Sequence, residues 1–142
     1  MKIKIYVGCA LTKVPKGFKA EFTRFICGVK DGLMTSGYEV LEFIGLVEGT
    51  SGDVYRHDTE CVSKCDLFLA ICDFPSIGLG IEIGHAIKIS KPTLLTSRWD
   101  ITRIVPGTAE MEPLVSYERC SDTDSLLALV EAELDKRNLR TP

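Results

Sequence analysis

The sequence predicts a single flavodoxin-like, Rossmann-like α/β domain over residues 1–142, with five parallel strands in one doubly wound sheet. Three observations carry that expectation. Strand-like and helix-like segments alternate from end to end, and residues Asp66 to Cys72 (DLFLAIC) are a nearly unbroken apolar run. No repeat, linker or low-complexity stretch divides the chain. A continuous apolar run suits a central parallel strand, because helices cover both of its faces. Alternation in turn requires right-handed crossovers that bring each strand back parallel to the previous one.

Ile3 to Val7 is short, apolar and partly β-branched, and Gly8 bounds it: strand one. After Pro15, the residues Phe18, Phe22, Phe25, Ile26, Val29 and Leu33 recur at helical spacing, and Gly37 closes that helix. Tyr38 to Ile44 reads as strand two, followed by a loop with Gly45, Gly49 and Gly52 and a helix from Asp53 to Lys64. Strand three is Asp66 to Cys72, and the next helix spans Gly78 to Ile89. Pro92 to Thr96 is strand four, Asp100 to Val105 a short helix, and Leu114 to Tyr117 strand five. The last helix runs from Asp122 to Arg137, with Ser121 as its expected N-cap and Leu126, Leu127, Val130 and Leu134 facing inward.

Composition narrows the function. With 45% hydrophobic and 26% charged residues, 142 residues make one ordinary core. A net charge of −3 argues against a nucleic-acid polymer or an anionic membrane as partner. No apolar run reaches the ~18 residues of a membrane span. MKIKIYVG reads as a strand and not as a secretory leader, so a cytoplasmic location is expected. The six cysteines lie scattered through apolar stretches without paired CxxC spacing. They are expected to be buried free thiols in a reducing compartment, with neither a metal nor a cofactor. His57 and His85 read either as acid–base groups or as locally bonded histidines, and no ligand spacing marks them for metal.

In a sheet of strand order 2-1-3-4-5, ligands lie beyond the carboxyl ends of strands one and three. The loops to search are therefore Gly8 to Thr12 and Asp73 to Gly80. Residues 74–84 read FPSIGLGIEIG. Pro75 and Ser76 open a turn, Gly78 and Gly80 let a ligand approach the backbone, and a helix follows whose amides suit an anion such as phosphate. The dinucleotide pattern GxGxxG fails because the third glycine is Gly84, one place too late, and no GxxxxGK[ST] is present.

Glu82 lies in what reads as the first turn of that helix, among Ile81, Ile83, Ala86 and Ile87. It is either an acid complementing the helix dipole or a carboxylate nucleophile kept ionised by that dipole. Asp58 falls on the apolar stripe formed by Val54, Cys61, Val62 and Cys65, where an acid needs either a partner or a task. Two carboxylates are the usual equipment for breaking a glycosidic bond, one attacking the anomeric carbon and one managing protons. Arg98 and Trp99 read either as a platform for a base or as a cap on the sheet edge or a subunit interface.

CDLFLAICDFPSIGLGIEIGHA, with Asp58 twenty-four residues before Glu82, resembles the nucleoside 2-deoxyribosyltransferase superfamily. The PSxGxGxExG form is similar to its 2′-deoxynucleoside 5′-phosphate N-hydrolase branch. The likeness runs from strand one to about Gly107. It implies that Glu82 is the nucleophile, that Asp58 assists at the sugar or base, and that Tyr6 orients the nucleophile. It further implies that Gly8, Ser76, Gly78 and Gly80 bind the substrate and its phosphate, and that Thr102 reaches a neighbouring subunit's phosphate in a homodimer or higher homo-oligomer. The loop GCALTKVPKG departs from the glycine- and arginine-rich loop of the hydrolases; Lys13 or Lys16 would have to supply its charge. The expected reaction is hydrolysis of a nucleoside 5′-monophosphate. Base exchange and a binding module without turnover are the rivals, with cleavage of a nicotinamide-type bond behind them.

Overall fold

The computed structural model describes residues 2–11, 13–41 and 49–140. Among the described residues are five strands and five helices in strict alternation: β1 (Lys4–Cys9), α1 (Lys16–Thr35), β2 (Glu39–Leu41), α2 (Ser51–Lys64), β3 (Leu67–Ile71), α3 (Ile77–Lys88), β4 (Thr93–Ser97), α4 (Ile104–Met111), β5 (Val115–Arg119) and α5 (Thr123–Lys136). The strands form one sheet in the order β2-β1-β3-β4-β5, and every pairing is parallel. The predicted fold class and the 2-1-3-4-5 order are both observed.

The period of two along each strand divides the core into two layers. Ile5 and Val7 of β1 and Leu67, Leu69 and Ile71 of β3 pack against Phe22, Phe25, Ile26 and Val29 of α1 and Leu126, Val130 and Leu134 of α5. The alternate residues Tyr6, Phe68 and Ala70 face Cys61 and Val62 of α2 and Leu79 and Ala86 of α3. Strand parity thus sends Tyr6 toward the α2–α3 side. The register pairs Tyr6 with Phe68, and their rings stack at 5.5 Å.

Several boundaries differ from expectation, each for a local reason. α2 begins at Ser51, ahead of Asp53, because Thr50 and Asp53 form a capping box. The α5 cap is Asp122, not Ser121: its carboxylate accepts from the Ser125 amide at 2.8 Å, while the Ser121 amide bonds the Ser125 hydroxyl. The short helix does not end at Val105 but starts at Ile104. Pro106 is accommodated in its first turn, where an amide N–H would have no intrahelical acceptor. Of strand two, residues 39–41 are strand and 42–44 lie outside the described residues, as does Gly45. Phe18 shares the helical spacing of α1 yet is exposed, and Cys27 is an exposed thiol among five buried ones. No helix among the described residues is long and apolar enough to cross a membrane.

Candidate active site

A cavity of about 280 Å³ opens at the carboxyl end of β1 and β3, between α2 and α3. That volume is close to the lower end of ordinary small-molecule pockets, roughly 300 Å³. Tyr6 and Cys9 come from β1, Ser76, Gly78, Leu79, Ile81 and Glu82 from the α3 entry, and Asp58 from α2. The topology places them together: β1 and β3 are adjacent, and the helices that follow them diverge at the switch point.

Glu82 and Tyr6 are bonded directly. The Tyr6 hydroxyl donates to Glu82 Oε2 at 2.7 Å across 76 residues of sequence. Tyr6 is fully buried, and burial first, then the Glu82 carboxylate, holds its phenol far above its ordinary range. It is therefore a fixed donor. Burial pushes the Glu82 carboxyl up, the Tyr6 hydrogen bond pulls it back, and Asp58, close enough to hydrogen bond, raises it again, leaving it at about 7.

This corrects one expectation. Glu82 is the sixth residue of α3, one turn past the helix start, and no acid occupies the first turn. The dipole acts over the first turn only. Glu82 is consequently not kept ionised by the helix end; its surroundings bring its titration to neutrality.

Asp58 projects from the same face of α2 as Ser51, Val54, Tyr55 and Thr59, all of which line the cavity. The spacing 51, 54, 55, 58, 59 is one helical stripe, so the helical period around Asp58 is the signal that marks Ser51, Tyr55 and Thr59, which are not among the expected site residues. His57 Nδ1 lies 3.2 Å from Asp58 Oδ1. His85 Nε2 lies 3.3 Å from the Ser63 hydroxyl, a local bond outside the cavity lining. Among the described residues no group of three or more His, Cys, Asp or Glu side chains could hold a metal ion.

Ser76 is the N-cap of α3, and its hydroxyl oxygen accepts from the Leu79 amide at 3.1 Å. That leaves the hydroxyl proton available to a ligand. The Ile77 and Gly78 amides are the first of the helix and have no acceptor within it. The Ser76 hydroxyl and these two amides are the donors that this turn offers. Gly78 lines the cavity, whereas Gly80 is exposed outside it. Gly8 is buried outside it too, and a Cβ there would lie 2.8 Å from the Phe68 ring and 3.0 Å from Leu79. Its role in this geometry is close packing. Thr102 is exposed just ahead of α4 and does not line the cavity of its own chain.

Arg98 and Trp99 are not a base platform. Arg98 Nε donates to Asp73 Oδ2 at 2.6 Å and its fork engages Glu21, while the Trp99 indole donates to the Asp73 carbonyl at 3.0 Å. They cap the sheet edge on the α1 side.

No family model matches the sequence, and no curated protein matches it. Solved structures do. The chain superposes on a CMP N-glycosidase, BcmB, from Clostridium botulinum with a TM-score of 0.70 at 20% identity, covering 91% of this chain and 98% of that one. It superposes on a 2-deoxyribosyltransferase from Bacillus psychrosaccharolyticus at 0.62 and 16% identity, covering 87% and 89%. For the 2-desoxiribosyltransferase from Leishmania mexicana the values are 0.58 and 16%, covering 91% and 97%. The fold is that of these nucleoside- and nucleotide-processing structures.

Proposed function

We propose that this protein hydrolyses the N-glycosidic bond of a nucleoside or 2′-deoxynucleoside 5′-monophosphate, with Glu82 as nucleophile. The observation that carries the reading is a carboxylate in a cavity of about 280 Å³, held at 2.7 Å by a buried tyrosine and faced by a second carboxylate. Glu82 attacks C1′ as the C1′–N bond breaks, and the departing base takes a proton supplied by Asp58 or water. Water then adds to C1′ of the glycosyl ester, giving one proton to a carboxylate or to solvent and releasing Glu82. Tyr6 keeps the attacking oxygen aimed throughout. The Ser76 hydroxyl and the Ile77 and Gly78 amides take the 5′-phosphate. The likeness to the CMP N-glycosidase and to the 2-deoxyribosyltransferases supports the same class of chemistry. No metal or cofactor enters the scheme.

Because a glycosyl ester can also be taken by a second base, exchange is the alternative outcome, and two of the superposed structures are transferases. The test is a panel of nucleosides and 5′-monophosphates scored by chromatography for free base, with and without an added purine, and Glu82→Gln as control. Release of base from a monophosphate, lost in the variant, supports hydrolysis; base exchange moves the assignment to transfer. No release from any substrate by folded protein sinks the catalytic reading in favour of a binding module. We also propose that the protein works as a homodimer or larger homo-oligomer, with Thr102 serving the partner's site.

A further inference from the structure

We infer that Asp73 and Arg98 are positioning residues: a buried ion-pair clamp that aims the β3–α3 turn, and with it Ser76 and the first α3 amides, at the phosphate of the substrate. This rests on the function proposed above. Asp73 follows β3 by two residues and precedes Ser76 by three. Its side chain has 0% exposure and that of Arg98 has 11%. The two Asp73 oxygens are taken by consecutive parts of Arg98: Oδ1 by the backbone amide at 3.1 Å, Oδ2 by Nε at 2.6 Å. The Asp73 carbonyl accepts from Trp99 Nε1 at 3.0 Å, so residues 98 and 99 hold both its main chain and its side chain. The remaining guanidinium nitrogens reach Glu21 on α1, NH2 to Oε2 at 3.1 Å, and the guanidinium lies 3.9 Å over the Phe25 ring. Phe74, the next residue of the turn, is wedged edge-on between Phe22 at 4.9 Å and Trp99 at 5.4 Å.

Stability alone does not explain this arrangement. A buried ion pair gains little over well-packed apolar side chains, and the surroundings here are Phe22, Phe25, Phe74 and Trp99. A planar guanidinium fork provides direction instead, fixing an angle that an apolar contact leaves soft. The turn it fixes crosses from the α1 face, where Asp73 is anchored, to the α2–α3 face, where Ser76 caps the helix and borders the cavity. The clamp holds the turn that carries the phosphate donors directly, whereas Glu82, one turn further along α3, is tied separately to β1 by the Tyr6 hydrogen bond.

The experiment compares binding of a nucleoside 5′-monophosphate and its parent nucleoside by calorimetry, on wild type, Arg98→Gln and Arg98→Lys, with base release measured in parallel. In wild type the monophosphate is expected to bind more tightly. In Arg98→Gln that preference falls about tenfold, the worth of roughly one charge-assisted hydrogen bond, while the nucleoside's Kd and kcat change less than about twofold. Arg98→Lys, which keeps charge without the fork, recovers part of the loss. Glu21→Gln opens only the outer end, and its expected loss is about twofold; it serves if Arg98→Gln does not fold. Equal weakening of both ligands, an unchanged preference, or no preference in wild type overturns the inference. Absence of base release by a wild type that binds as expected overturns only the proposed function.

Discussion

At the scale of single residues the site turns on the burial of Glu82. A nucleophile must be ionised, and the Glu82 carboxyl titrates at about 7, so kcat/KM is expected to rise with pH through that value. Tyr6→Phe removes the interaction that lowers it, so the acid limb moves to higher pH; Asp58→Asn removes a raising one, and the limb moves lower. A pH–rate profile of the three proteins checks both directions, and movement the other way contradicts the electrostatics described. The same group carries a stability cost. Its folded value of about 7 exceeds the ordinary carboxyl value of 4.5, so the stability it contributes is complete below about 4.5 and is lost as pH rises through about 7. Glu82→Gln imitates the protonated form. Its Tm is therefore expected to match wild type near pH 4.5 and to exceed it at pH 8, while activity falls by at least about 10³-fold. Thermal melts across that range decide it; a variant less stable at pH 8 contradicts the picture.

At the scale of elements, the strand parity that turns Tyr6 toward α3 also makes Gly8, two residues on, a contact point for Phe68. A methyl at Gly8 meets the Phe68 ring at 2.8 Å, and that ring stacks on Tyr6. Gly8→Ala is thus expected to cost about 1–3 kcal/mol of stability, as overpacking does, and to impair turnover by displacing the donor to Glu82. Denaturant unfolding and a kcat measurement check the two parts; unchanged stability removes the packing role. The period-two and helical patterns are legible in the sequence because they depend on residue type alone, which is why the five strands and four of the five helices lie where expected; α4, whose Ile104–Met111 span shares only two residues with the expected 100–105, has no apolar stripe to mark it. The Asp58 stripe on α2 was legible for the same reason. Helix starts were less so: Thr50, Ser76 and Asp122 are chosen as caps by geometry among several candidate residues. Likewise the role of Arg98 depends on Glu21 and Asp73, 77 and 25 residues away, and no local pattern brings those three together.

At the scale of the whole molecule, the apolar surface bears on assembly. Ile77 on α3 and Ile104 and Met111 on α4 are 87%, 73% and 80% exposed, large side chains left in water on the helices that follow β3 and β4. Isolated exposed apolar residues are commonplace, but two such side chains on the short helix α4 are more economically explained by a covering surface. Thr102 is compatible with such a surface: it precedes α4, is exposed, and does not line the cavity of its own chain. A stable contact of this kind buries on the order of 800 Å² per partner. Sedimentation velocity on the wild type is therefore expected to show a dimer or larger species. The double variant Ile104→Glu, Met111→Glu is expected to shift it to monomer without lowering Tm by more than a few degrees, because neither side chain packs in the core. If Thr102 serves the partner's site, that monomer retains its Glu82–Tyr6 pair yet binds a 5′-monophosphate several-fold more weakly. A wild type that sediments as a monomer at every concentration, or a dimer indifferent to both glutamates, removes α4 from the interface and Thr102 from the site.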